Sequence, residues 1–204
     1  MLKIIIMTIA ALLLTVASAL ADSIADRLGV TAKIGATLPL NNDFIKGTSD
    51  TKAGIAVGGG LIYGFTEHVA ADVEALHMPQ LDVQANGVKT YEAAITDVAL
   101  GVQFRFLNGN RLVPYFGLGP DFITADLKHV NGASYKLDWT YGGHVNLGFD
   151  WFITPGIAMT TDVRGVYAID GDVMSGSTKV SEYRPQWFQG TVGFRLMLPK
   201  NWWM

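Results

Sequence analysis

The sequence predicts an all-β fold, an eight-stranded antiparallel transmembrane β-barrel. Three observations carry that expectation. Apolar and polar residues alternate through eight segments, the connections between them alternate between long and short, and a secretory leader precedes them all. From Trp139 to Trp151 every second residue is apolar or Gly (Trp139, Tyr141, Gly143, Val145, Leu147, Phe149, Trp151), with His144, Asn146 and Asp150 among those between. Strand side chains point alternately to opposite faces, so this segment has one apolar and one polar face. It also exceeds the span of about 9–11 residues that a tilted strand needs to cross a bilayer.

The leader is the run Ile4 to Leu20, preceded by Lys3 and closed by Ala19-Leu20-Ala21, a small-x-small cleavage pattern. Residues 1–21 are therefore expected to be a cleaved signal peptide and residues 22–204 a single outer-membrane barrel domain. The chain has no Cys, which excludes lipoprotein attachment, disulfides and thiol chemistry. Its net charge is −3 and it has no basic cluster, so no nucleic-acid footprint is present.

The strands are expected near 28–38, 53–64, 68–78, 93–106, 113–125, 138–152, 157–169 and 186–198. The first carries Val30, Ala32, Ile34 and Leu38 in the lipid phase, and the second Ile55, Val57, Leu61 and Tyr63. The third alternates through Asp72-Val73-Glu74-Ala75-Leu76, and the fourth presents Val98, Leu100, Val102, Phe104 and Phe106. The fifth runs through Pro114-Tyr115-Phe116-Gly117-Leu118-Gly119, the sixth is the Trp139 segment, and the seventh holds Asp162-Val163-Arg164. The eighth presents Phe188, Val192, Phe194, Leu196 and Leu198.

Connections 39–52, 79–92, 126–137 and 170–185 are long and rich in Asn, Asp, Gly, Ser and Lys. Connections 65–67, 107–112 and 153–156 are short, with turn signals such as Asn108-Gly109-Asn110 and Thr154-Pro155-Gly156. Outer-membrane barrels have short periplasmic turns and longer extracellular loops. A periplasmic N-terminus puts all four long connections outside. Aromatics sort into two belts at the strand ends. Tyr63, Phe65, Phe104, Phe106, Phe149, Trp151 and Phe152 are expected on the periplasmic side, and Trp139, Tyr141, Tyr167, Trp187 and Phe188 on the outer side.

The inward phase collects Lys33, Asp72, Glu74, Asp97, Gln103, Arg105, Asp121, His144, Asn146, Asp150, Asp162, Arg164, Gln189 and Arg195. Six of these are acidic and four are Lys or Arg. An eight-stranded barrel leaves room only for side chains or one small ligand, and buried charges need partners. A salt-bridged plug built from Lys33, Asp72, Glu74, Asp97, Arg105, Asp121, Asp150, Asp162, Arg164 and Arg195 is the expectation, with a polar conduit as the alternative. Glycines of the same phase, among them Gly58, Gly60, Gly101, Gly117 and Gly148, make room for the long neighbours.

Nothing in the sequence assembles into a catalytic, metal or cofactor site. His68, His77, His129 and His144 lack metal-motif spacing, and of the loop serines Ser134, Ser175, Ser177 and Ser181 only the first is near a His, His129. Gly58-Gly59-Gly60 leads into more strand, not into the helix that a phosphate loop requires. The chain is expected to be no enzyme and to carry no cofactor.

The segment Pro114-Tyr115-Phe116-Gly117-Leu118-Gly119 resembles the start of the fifth strand in the outer membrane protein W (OmpW) family. The resemblance extends through Val73-Glu74-Ala75-Leu76 with Pro79, Gly148-Phe149-Asp150-Trp151-Phe152-Ile153, Asp162-Val163-Arg164 and Gly193-Phe194-Arg195-Leu196, covering most of the mature chain. Two departures stand out. Glu92-Ala93-Ala94-Ile95-Thr96 replaces a Leu-Pro-Pro-Thr segment, and Met197 to Met204 extend past the terminal aromatic that the barrel-assembly machinery reads. The tail, with Lys200, Trp202 and Trp203, is a candidate interface anchor.

The resemblance implies a barrel that passes small hydrophobic molecules, with an apolar recess opening toward the outer leaflet. It places Leu76 at an apolar lumen position, whereas Arg164 stands where a second apolar residue would suit that role. The partners it implies are outer-membrane lipid, small hydrophobic molecules and the assembly machinery. The competing expectation is a structural or interaction barrel with a closed lumen and ligand- or receptor-binding loops. A periplasmic lipocalin-like carrier would need the two faces exchanged, which the aromatic belts and loop asymmetry oppose.

Overall fold

Alternation with one apolar face leaves each strand two open edges, and closure is the arrangement that removes them in lipid. The computed structural model describes residues 23–40, 44–107, 109–176 and 178–200. Its strands are β1 (Arg27–Pro39), β2 (Asp50–Thr51), β3 (Gly54–Gly64), β4 (Val69–Ala85), β5 (Val88–Arg105), β6 (Leu112–His129), β7 (Ser134–Thr154), β8 (Ile157–Ala168), β9 (Gly171–Ser175), β10 (Thr178–Tyr183) and β11 (Gln186–Met197). Eight of them pair antiparallel in one circuit, β1-β3-β4-β5-β6-β7-β8-β11, which β11 closes onto β1 through pairs such as Ala32 with Phe194. The expected leader, residues 1–21, and the tail residues 201–204 lie outside the described residues.

Three connections expected to be loops are largely strand. β4 continues to Ala85 and β5 begins at Val88, so most of 79–92 is a ladder closed by a two-residue turn. Asn86 (φ 52) and Gly87 (φ 76) take the left-handed backbone that a tight hairpin turn requires. Likewise β6 reaches His129 and β7 starts at Ser134, and 170–185 holds the β9–β10 hairpin, whose β9 also pairs with β7. The misreading has a physical source. Above the bilayer the outward face meets water, so its Asp, Glu and Lys residues mimic loop composition, while the inward face stays apolar through Leu81, Val83, Ala125 and Leu127.

Val30, Ile34, Leu61, Val73, Leu100, Val102, Val145, Leu147, Val163 and Phe194 stand exposed on the outer wall. Among the described residues no Asp, Glu, Lys or Arg occupies that outward phase between the aromatic belts. Two belt assignments are corrected. Trp187 and Phe152 turn inward and are buried, because each falls in the lumen phase of its strand. Phe104, Phe106, Trp139, Tyr141, Trp151, Tyr167 and Phe188 are exposed on the outside.

Val102→Arg or Leu147→Arg sets a cation in lipid and is expected to cost about 2–4 kcal/mol near the midplane. Val88→Arg, at the extracellular tip of the β4–β5 hairpin, is expected to stay within about 0.5 kcal/mol of the parent. Unfolding titrations in lipid vesicles check this; equal stability of all three variants would show that Val102 and Leu147 do not face lipid.

Candidate functional site

Long inward side chains fit a narrow lumen only where a neighbour has none. Lys33 pairs in register with Gly58 on β3 and Gly193 on β11, and Glu74 pairs with Gly60. Asp72 pairs with Gly101, Asn146 with Gly117 and Tyr115 with Gly148. A Cβ at Gly101 would collide with the Asp72 carboxylate, one at Gly117 with the Asn146 carboxamide, and one at Gly148 with the Tyr115 phenol.

This spacing lets two charged clusters span mid-barrel. In the first, Lys33 Nζ lies 2.5 Å from Glu74 Oε1 and 2.6 Å from Asp162 Oδ2. Arg164 Nη2 donates to Glu74 Oε2, while the hydroxyls of Thr191 (3.0 Å) and Tyr115 (3.2 Å) donate to Asp162. In the second, Asp150 Oδ2 accepts from Arg105 Nη2 at 2.7 Å and Arg195 Nη1 at 2.5 Å. Both guanidiniums stand over the Tyr115 ring, at 5.8 and 5.9 Å from its centroid, so the phenol bridges the clusters. These groups are almost fully buried, and together they block the barrel axis.

On the extracellular side of the belt, Asp121 Oδ1 lies 2.9 Å from His144 Nδ1, but its Oδ2 has no partner. Both carboxylate oxygens of Asp97 are unpartnered although the residue is 1% exposed. Asp72 packs near the arginines with Oδ1 unpartnered.

Two apolar layers flank the belt. On the periplasmic side Ile24, Ile62, Ala70, Val113, Phe152, Ala158 and Met197 close the barrel. Arg27 fastens that end, its guanidinium donating to the carbonyls of Pro155, Met197 and Leu198. On the extracellular side the upper chamber of the barrel is filled by a larger packed apolar core of Met78, Leu81, Val83, Ile95, Ile123, Leu127, Val166, Trp187 and their neighbours.

A strap closes the chamber from above. Ile45 bridges Tyr183 antiparallel, Lys46 N–H donates to Glu182 O, and Arg184 N–H to Phe44 O. The Phe44 and Tyr183 rings pack tilted, with centroids 6.0 Å apart, and Tyr183 donates its hydroxyl to Asp138 O at 3.0 Å. Beside the strap a vestibule of about 430 Å³ is lined by Ile45, Tyr91, Leu127, Tyr135 and Val173 together with Thr48, Thr90, Ser175 and Ser181. Beyond the apolar band, Lys89 lies 2.6 Å from Asp82 and 3.1 Å from Glu92. Hydrogen bonding to these two carboxylates raises the Lys89 pKa, and the same contact lowers that of Asp82.

Of the expected lumen residues, the structure brings Lys33, Glu74, Asp162 and Arg164 into one cluster and Arg105, Asp150 and Arg195 into another. Asp97 and Asp121 sit apart from both, and Leu76 is buried in the register row of Asp97. Sequence reasoning missed Tyr115 as the bridge, Arg27 as the fastener, the strap residues, and most of the chamber. The inward phase that runs on through Leu81, Val83, Ala125 and Leu127 was the signal for the chamber. The Phe44–Tyr183 strap had none, since it depends on contacts between remote loops.

A closed eight-strand antiparallel circuit with an apolar outer band and a side-chain-filled lumen defines an outer-membrane β-barrel. The family model for the outer membrane protein beta-barrel domain matches residues 7–203, and the chain belongs to that family. Among solved structures the fold is similar to outer membrane protein OprG of Pseudomonas aeruginosa, with a TM-score of 0.66 at 18% identity, covering 88% of this chain and 99% of that one. It is also similar to Neisserial surface protein A, with a TM-score of 0.62 at 11% identity, covering 84% and 97%. Outer membrane protein W of E. coli gives a TM-score of 0.53 at 14% identity, covering 85% and 98%. No curated protein matches the chain by sequence.

Lys33→Met leaves Glu74 and Asp162 without the ammonium they share, and Arg164→Ala removes a second cation from Glu74. Breaking a buried pair from one side typically costs about 3–5 kcal/mol, and each variant is expected to show a loss of that order in vesicle unfolding. Unchanged stability in both would mean that water solvates the lumen.

Proposed function

We propose that this barrel binds small hydrophobic solutes at its extracellular end and admits them to the outer membrane. The supporting observation is the division of the lumen, an apolar chamber above a charged belt that blocks the axis. A solute entering from outside passes the vestibule, whose volume of about 430 Å³ suits a small molecule. It then meets apolar side chains, and it leaves sideways into the leaflet because the belt obstructs the way down. The OmpW-family resemblance of the sequence supports the same reading. The role is binding and transport without chemistry. Its partners are lipid, the solute and, during biogenesis, the assembly machinery, after export directed by the leader.

A second reading, a structural or interaction barrel that meets ligands through its loops, is favoured by the closed belt and by the strap. The strap separates the two. Ile45 and Tyr183 form a non-hydrogen-bonded antiparallel pair, the geometry that brings Cα atoms to about 4.5 Å and suits a disulfide. The chain has no Cys, so Ile45→Cys with Tyr183→Cys adds a bridge without competing thiols. Uptake of a panel of apolar compounds is expected to require the protein in cells, to be abolished in the oxidised double variant, and to return on reduction. Uptake equal with and without the wild-type protein would leave the structural reading standing.

A further inference from the structure

Three aromatic rings gather at the mouth of the barrel, and neither the outer wall nor the charged belt uses them. Tyr91 on β5 stands opposite His129 on β6, and Tyr135 on β7 stands opposite Leu127. Residues opposite each other in an antiparallel pair share a face. Tyr135 therefore turns inward with buried Leu127, as Tyr91 does with its other partner, buried Val83. The Tyr91 ring meets His129 edge-on with centroids 4.8 Å apart, and Tyr135 likewise at 6.4 Å. Both tyrosines pack on the apolar core yet stay half-buried, and both line the vestibule of about 430 Å³. Thr48 and Thr90 of the same lining commit their hydroxyls to the carbonyls of Ile45 and Val88. Among the described residues the hydroxyls of Tyr91, Tyr135 and Ser175 have no such partner. No carboxylate is found among the described lining residues, and the one ion there is Lys46.

From this arrangement we infer that the vestibule selects hydroxylated aromatic solutes, phenols and naphthols, over saturated solutes of equal size. The inference rests on the solute-binding reading above and names the class of solute. Rings already set edge to face offer a guest ring the offset and T-shaped contacts that aromatic pairs prefer, beyond what burial alone gives. A tyrosine gives up little conformational freedom in such a contact, because only two side-chain torsions are fixed. A saturated ring of the same size gains only dispersion contacts with groups such as Ile45, Leu127 and Val173. The guest's hydroxyl donates to one of the open hydroxyls of Tyr91, Tyr135 and Ser175 and accepts from another, since each of them does both. The charge of the lining points the same way. With Lys46 as its ion, an electron-rich phenol oxygen is favoured there over an ammonium group.

The test uses 2-naphthol, naphthalene and decahydro-2-naphthol, which separate ring character from size and from the hydroxyl. Binding to the full-length barrel in zwitterionic nanodiscs is measured by calorimetry, with empty discs subtracted. 2-Naphthol is expected to bind about tenfold more tightly than decahydro-2-naphthol. Tyr91→Leu and Tyr135→Leu are each expected to reduce that preference about threefold or more. Tyr141→Leu, on the outer wall, is expected to leave it unchanged. The wild type is also expected to prefer 2-naphthol to naphthalene about fivefold, and Tyr91→Phe with Tyr135→Phe to lose most of that while keeping both rings. Equal binding of 2-naphthol and decahydro-2-naphthol by the wild type overturns the aromatic inference and leaves the hydrophobic-solute reading standing. Binding of none of the three overturns both. A preference that survives in both leucine variants also overturns the inference, since it would place selection elsewhere in the barrel. Should a leucine variant fail to fold, the phenylalanine pair decides. An undiminished preference of that pair for 2-naphthol over naphthalene then overturns the inference.

Discussion

An eight-stranded barrel must fill its own interior, and this governs every inward residue. Lipid forces the strands to close, because it offers no partner to an open backbone edge. Closure at eight strands leaves a lumen about as wide as the side chains that line it. Each long inward residue therefore needs a small one beside it. The register answers with glycine, placing Gly58 and Gly193 by Lys33, Gly60 by Glu74, Gly101 by Asp72, and Gly148 by Tyr115. The glycines make poor strand residues by themselves. Here they are what lets a charged group reach across the barrel to its partner.

Once across, the charges divide the lumen. Buried ions in a medium of low polarity need partners, and here Lys33 is shared by Glu74 and Asp162 while Arg105 and Arg195 share Asp150. Apolar layers above and below keep water from the belt and so strengthen it. The same belt gives the upper apolar core a charged floor. Without the belt the axis would offer a path down. With it, the axis is filled at mid-barrel by paired side chains.

The barrel itself was legible because period-two alternation is a backbone property, and lipid demands it along every spanning strand. Asp162 and Arg164 could be assigned to the lumen from phase alone. Their partners could not. Phase says that Lys33 points inward, but its meeting with Glu74 and Asp162 depends on how strands far apart in sequence wrap around the barrel. The strand extensions were missed where the outward face changed solvent. Past His77 and Thr96 polar outward residues make a strand look like a loop, and only the inward phase stays readable. Trp187 and Phe152 show the opposite error. Aromatic identity suggested the membrane interface, whereas their position in the alternation sends both inward.

The strap follows from the same geometry. A chamber that is apolar and open to water would expose a large apolar surface, which small soluble faces rarely tolerate. Phe44, Ile45 and Tyr183 cover it, drawn from two loops that meet through only a few backbone hydrogen bonds. The cover is held by these bonds, by its own apolar contacts, by the Tyr183 hydroxyl on Asp138 and by an exposed Lys46–Glu182 ion pair at 3.4 Å. Contacts of that kind are ones an apolar guest can replace, while the belt beneath is held by ion pairs that it cannot. The barrel is thus apolar in its outer half and ion-paired at its centre. That gradient follows from where the inward phase changes from apolar to charged, between Ile95 and Asp97 on β5 and between Ile123 and Asp121 on β6.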